Sequence, residues 1–276
     1  MRHSRNMSLL FIALVVVCGG AFAQTSGPRE GLPKEPDTDE QRIADLAIAS
    51  RVPVNEGVLD SFGHVTVRSL KNPNHYFMPK AMPPGLVTPK DIVELDINSA
   101  PVDPNAPRTN GERFIHGEIY RVRPDVQAIV HSHSPAVVPF SVSPSRPLRP
   151  LIHMSGFLPV KGVSVLDHRD VSRDDPSLRG KLMVNNAKLG AALAKTLGQD
   201  SVVLIRSHGM AVVGASLPWA VFRAVYTHLN AKAELDAIAL GGEVVYLNDD
   251  EIKMHSTEVF DVARPWENLK SRLPKN

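Results

Sequence analysis

Cysteine is nearly missing. Cys18 is the only one in 276 residues, so neither a disulfide framework nor a thiol nucleophile organises the chain. Aromatic residues are scarce at 5%, and neither sign of charge dominates, with 31 Lys and Arg against 29 Asp and Glu. The small positive excess is carried by Arg2 and Arg5, and the rest of the chain is balanced. That balance removes the basic surface on which nucleic-acid binding depends. Nor does any apolar run reach the length a bilayer requires. Hydrophobic residues make up 43% and charged residues 22%, the composition of a globular protein with a core, which excludes disorder and collagen.

The longest apolar run stands at the start. Residues 1–23 open on Arg2 and Arg5, pass through an apolar stretch from Leu9 to Val17 and close on Ala21-Phe22-Ala23. Basic, then apolar, then A-x-A is the order of an export signal, predicting cleavage before Gln24 and a periplasmic or secreted mature chain. A membrane anchor would need about twice that apolar length, and Val17 is too large for a lipoprotein site at Cys18. Residues 24–38, rich in Pro, Gly and charge without periodicity, predict a flexible leader.

From 39 to 263 helical and strand patterns alternate without a linker, predicting one α/β domain followed by a C-terminal tail, 264–276. Ile43, Leu46, Ala47 and Val54 keep helical spacing, and His64–Val67 alternates as a strand. Thr88, Pro89 and Asp91 predict a short helix start, followed by a strand at Val93–Leu95. Thr109-x-x-Glu112 reads as a capping box opening a helix that Pro124 stops. A buried strand is expected at Ala128–His131, a helix at Val184–Leu197 and a strand pair at Val202–Ile205 and Gly209–Gly214. The longest helix starts near Leu217, with Trp219, Phe222, Val225, Tyr226 and Leu229 on one face, and ends at Gly241-Gly242.

Three histidines stand apart. His131 and His133 are two residues apart at the end of a strand, so both side chains leave the same face. His208 follows another apolar strand, where a neighbouring strand end would bring it to the same rim. Neutral imidazoles suit zinc, and three of them leave a position open for chemistry. A bare H-x-H is a weak signal, common on solvated strands, and a histidine before glycine is also an ordinary turn residue. Glu112 is either the return half of its capping box or a carboxylate facing the metal. His116 and His153 read as packing or hydrogen-bonding groups, whereas His3, His75, His168, His228 and His255 belong to no constellation.

Taken together, Gly63–Arg68, Glu112–His116, Arg123–Val126, Val130–Pro135 and Ser207–Gly209 resemble the class II aldolase/adducin family in order and spacing, over roughly residues 40–250. The resemblance implies the fuculose-phosphate aldolase fold: α/β, with a central mixed or antiparallel sheet flanked by helices. It implies zinc, or else manganese or iron, on His131, His133 and His208, with Glu112 as the carboxylate that yields to substrate and then moves protons. It also implies a homotetramer with sites near subunit interfaces.

Three departures from the sugar-phosphate aldolases matter. His64 replaces an Asn, Lys80-Ala81 replaces a Thr-Gly pair, and Asn110-Gly111 replaces a Ser pair, so the neutral phosphate cradle is largely rewritten. The pattern is instead similar to the branch of 3,4-dihydroxyphthalate and carboxy-hydroxymuconate semialdehyde decarboxylases. That branch implies a carbon–carbon lyase acting on a small hydroxylated aromatic or ring-cleavage carboxylic acid. Glu112 is then the catalytic acid/base, and His64, Lys80 and Arg113 hold the remaining acid groups. A class II aldolase acting on a sugar or sugar phosphate is the alternative, and a non-catalytic, adducin-like interaction domain without a working metal site is a third reading.

Overall fold

The computed structural model describes residues 38–254 and 261–274, so the expected export signal and all of the expected leader but Thr38 lie outside the described residues. Thr38 is the N-cap of the first helix, its hydroxyl accepting the Gln41 N–H at 3.2 Å. The described residues belong to a single compact unit.

Seven strands form one sheet: β1 (His64–Arg68), β2 (His75–Pro79), β3 (Ile92–Asp96), β4 (Ala128–Ser132), β5 (Val165–Leu166), β6 (Val202–Ile205) and β7 (Gly209–Gly214). Their order is β3-β2-β1-β4-β7-β6-β5, and every neighbouring pair is antiparallel except the short β5–β6 pair. The helices are α1 (Asp39–Asn55), α2 (Phe114–Val122), α3 (Val138–Ser141), α4 (His168–Val171), α5 (Ala187–Leu197), α6 (Leu217–Leu240), α7 (Asp249–Met254) and α8 (Ala263–Ser271). Among the described residues, no helix is long and apolar enough to cross a membrane.

Strand alternation sorts the side chains into two layers. Val65, Val67, Val130, Leu204 and Val212 join Leu46, Ala49 and Val52 of α1 and Val221, Ala224 and Val225 of α6. Their alternate neighbours Ile129, Val203, Ile205, Ala211 and Val213 join Ile115 and Ile119 of α2 and Leu189 and Leu193 of α5. Each Val, Leu or Ile among them contributes roughly 1.5–3 kcal/mol by leaving water, and both faces of the sheet are covered. By the same parity His64, Thr66, Arg68 and His131 share the face that α2 covers, and His64 pairs directly with His131 across β1 and β4. Polar groups therefore enter this layer along β1 and β4.

Several boundaries differ from expectation. The helix expected from Val184 begins at Ala187, because Asn186 caps it by accepting the Leu189 N–H at 3.0 Å. On α6 the buried stripe runs through Ala220, Ala224, Thr227 and Ala231, leaving Leu229 outside it at 41% exposure. The segment read as a C-terminal tail contains all of α8 but Ala263, and its Trp266 and Leu269, three residues apart and so on one helical face, are buried in the α1–α6 layer.

Candidate metal centre and active site

His131 is fully buried near the end of β4, with Nδ1 3.0 Å from the Met210 carbonyl oxygen. A carbonyl only accepts, so Nδ1 carries the proton and Nε2 is left with a free lone pair. His133, just beyond the strand, repeats the arrangement with its Nδ1 3.0 Å from Asp60 Oδ2. Asp60 is itself fixed, since its other oxygen accepts the Phe62 and Gly63 N–H groups at 2.9 and 3.0 Å. Burial works against the Asp60 charge, but these bonds and the one to His133 hold its carboxyl below the usual range.

His208 arrives on the tight turn between β6 and β7. Ser207 before it has φ 58°, a left-handed conformation uncommon outside glycine. The turn is tied down by the Ser207 N–H donating to Ser141 Oγ and the His208 N–H donating to Ile205 O, both at 3.0 Å. Gly209 follows because a Cβ there would collide with the Ser132 carbonyl oxygen. Without that glycine β7 could not lie so close to β4.

These anchors bring the three Nε2 atoms together: 3.2 Å between His131 and His133, 3.0 Å between His133 and His208, and 3.2 Å between His208 and His131. Glu112 Oε2 lies 3.5 Å from His131 Nε2 and 3.4 Å from His208 Nε2. The four ligand atoms all lie within 4.8 Å of one another. Lone pairs converging at this range repel unless a cation or protons stand between them. Nitrogens sharing one zinc at bonds of about 2.0–2.1 Å come about 3–3.4 Å apart, so the donor set fits a divalent ion.

Glu112 does not close the capping box expected from Thr109. The N-cap is Asn110, whose side chain accepts the Glu112 N–H at 2.9 Å. The Glu112 carboxylate turns inward instead, Oε1 accepting the Val184 N–H at 2.9 Å. It is buried, which opposes its charge, yet the adjoining His131 and His208 side chains outweigh that and hold it well below the usual carboxylate range.

The other expected residues divide. His64 and Lys80 line one small cleft with Ala81 and Asn110. His64 is buried, its ring 5.0 Å from that of His131 between centroids. Lys80 Nζ is paired with Asp91 Oδ1 at 2.8 Å and remains partly exposed. Arg113 is not brought to the cleft: its Nε donates to Ser99 O at 2.7 Å, and its guanidinium stacks over Phe114. Sequence reasoning did not single out Asp60, the Met210 carbonyl or the Val184 N–H. Of these only Asp60 left a signal, an Asx turn in Asp60-Ser61-Phe62-Gly63.

Known proteins resemble the chain in sequence and in fold. Residues 44–235 match the family described as Class II Aldolase and Adducin N-terminal domain. The chain is 38% identical over 218 residues to decarboxylase tropJ of Talaromyces stipitatus, covering 71% of this chain and 80% of that protein. It is 28% identical over 217 residues to the 3,4-dihydroxyphthalate decarboxylase of Arthrobacter keyseri, covering 75% and 83%. Among solved structures, the L-fuculose 1-phosphate aldolase from Glaciozyma antarctica superposes with a TM-score of 0.67 at 22% identity, covering 84% of this chain and 89% of that one.

Proposed function

The chain belongs to the class II aldolase and adducin family, and on that footing we propose that it is a divalent-metal-dependent lyase releasing carbon dioxide from a hydroxylated aromatic or ring-cleavage carboxylic acid. Class II aldolases depend on a divalent metal, and this chain carries a His/Glu cluster able to hold one. The observation that carries the reading is that cluster: four converging ligand atoms, two of whose imidazoles are oriented by groups behind them. A scaffold domain has no use for such a site. Decarboxylation rather than aldol cleavage is supported by the decarboxylase relatives and by His64 and Lys80 beside Asn110, where a phosphate cradle would need converging neutral donors.

His131, His133 and His208 would hold the ion with Glu112, and it is zinc, with manganese or iron the alternatives. When bound, it supplies Lewis acidity toward the oxygen beside the breaking bond. Glu112 meets the substrate as an anion, takes the proton of its hydroxyl and returns it to the carbon that loses carbon dioxide. His64 and Lys80 hold the remaining carboxylate, and Lys80 exchanges part of its pairing with Asp91 for that contact. Arg113 holds the turn that carries Glu112. The first 23 residues direct export to the periplasm or beyond, and the mature protein is a homotetramer.

The test is to load the mature protein with zinc, manganese or iron and measure carbon dioxide from a panel of ortho-hydroxylated aromatic and muconate-type acids. Release from at least one acid, dependent on metal, is the expected result. Efficient cleavage of fuculose or ribulose phosphate, with the acids untouched, would replace the decarboxylase by the aldolase.

A further inference from the structure

Behind the metal cup stands a file of four buried polar side chains. His64 Nδ1 lies 2.7 Å from His116 Nε2, His116 Nδ1 lies 2.7 Å from Thr66 Oγ1, and Thr66 Oγ1 lies 2.9 Å from the Tyr120 hydroxyl. Regular structure builds it. His64 and Thr66 are two apart on β1, His116 and Tyr120 are four apart on α2, so each pair shares one face of its element. At the open end His64 Nε2 is buried and has no hydrogen-bond partner among the described residues.

We propose that His116, Thr66 and Tyr120 are positioning residues that lock His64 in the tautomer with its proton on Nε2, so that it presents a hydrogen-bond donor to an anionic substrate oxygen. The direction is set at Tyr120. Its single hydroxyl proton has two acceptors in reach, Thr66 Oγ1 at 2.9 Å and the Gln127 carbonyl at 3.5 Å. The carbonyl already takes the Arg68 N–H at 2.8 Å, and good O–H···O bonds run to about 3.0 Å, so Tyr120 donates to Thr66. Thr66 then donates its own proton to His116 Nδ1. A neutral imidazole carries one N–H, which for His116 must be on Nε2 and is donated to His64 Nδ1. The one proton left to His64 is on Nε2.

Two further observations agree. His64 and His116 are both buried with one proton to share between nitrogens 2.7 Å apart, and burial disfavours a charged imidazole, so each ring has a tautomer to be chosen. If His64 gave its proton away, the file could replace it only from Tyr120, whose own pKa burial pushes up. A phenolate in that interior is costly. His64 therefore holds its proton and points it, leaving proton transfer to Glu112. For the donor's use on an acid substrate this inference rests on the lyase reading, but the tautomer does not depend on it.

Nitrogen NMR of the zinc-loaded full chain with 15N-labelled histidine, free of substrate, reads the tautomer directly, and the Nε2–H form of His64 is expected. Thr66→Val keeps the shape and removes the hydroxyl. It should shift His64 toward the Nδ1–H form and lower kcat about tenfold, the worth of one hydrogen bond, with bound metal unchanged. Thr66→Ser should restore both. The Nδ1–H form in the native protein, or an unchanged tautomer in a folded Thr66→Val protein, overturns the proposal. A native protein with the Nε2–H form that decarboxylates no acid overturns the lyase reading and leaves the lock standing.

Discussion

In the metal cup three Nε2 atoms face one another at 3.0–3.2 Å; in the file beside it each inner nitrogen meets one partner and the bonds run in a line. Both groups use the same side chain, and His64 and His131 are paired across two strands. What differs is where the protons are kept. In the cup those of His131 and His133 are kept on the outer Nδ1 atoms, donated to the Met210 carbonyl and the Asp60 carboxylate, so lone pairs converge and a cation completes them. In the file every proton is shared between neighbours, so the group completes itself except at one end. The supports differ as well. The cup depends on two turns, at Asp60 and Ser207, whereas the file stands on one strand and one helix.

That contrast can be broken most severely at His208. Removing one of three imidazoles leaves no spare donor, so His208→Ala should lose stoichiometric metal and all measurable turnover while remaining folded, since the side chain sits on a turn. Metal analysis beside circular dichroism checks it, and full occupancy with full activity would take His208 out of the cup.

Glu112→Gln comes next. The amide oxygen can still accept the Val184 N–H, and three imidazoles remain for the metal, but no carboxyl proton can be delivered. A folded, metal-bound protein slowed roughly 100-fold or more is expected. Normal turnover would return Glu112 to a purely structural role.

The smallest effect sharpens the comparison. Asp60→Asn keeps one oxygen for the Phe62 and Gly63 N–H groups but turns an amide N–H₂ toward His133 Nδ1, opposing the required tautomer. Metal affinity should fall about 10–100-fold, with kcat near normal at saturating metal. A metal titration followed by activity separates the two, and unchanged affinity would show that His133 needs no orienting partner.

How much of this was legible depended on periodicity. His131 and His133 could be placed on one face because strand alternation is a property of the sequence, and the sheet's middle strands followed from their apolar runs. The strand β2 was not read, because Tyr76, Phe77 and Met78 are buried on both faces and show no alternation. Glu112 illustrates the harder limit. Thr109-x-x-Glu112 is a sound capping pattern, but a nearer cap, Asn110, and a partner 72 positions away, the Val184 N–H, decided where the carboxylate went. His116 was read only as packing or hydrogen bonding, since its partners Thr66 and His64 lie 50 and 52 positions distant. The α8 helix was read as tail because two apolar residues in a charged segment make a thin signal until a core is there to receive them.

The turn that carries His208 acts as a ruler. Between Ile205 and Gly209, which pair across β6 and β7, there is room for only three residues, with Ser207 in the left-handed region and Gly209 pressed against the backbone of β4. The span from His208 to the β4 histidines is thus written in loop length and in one missing side chain, not in the choice of ligand. Redesigning this site for an ion of another size would mean rewriting the turn, because exchanging the imidazole alone leaves the spacing where it was.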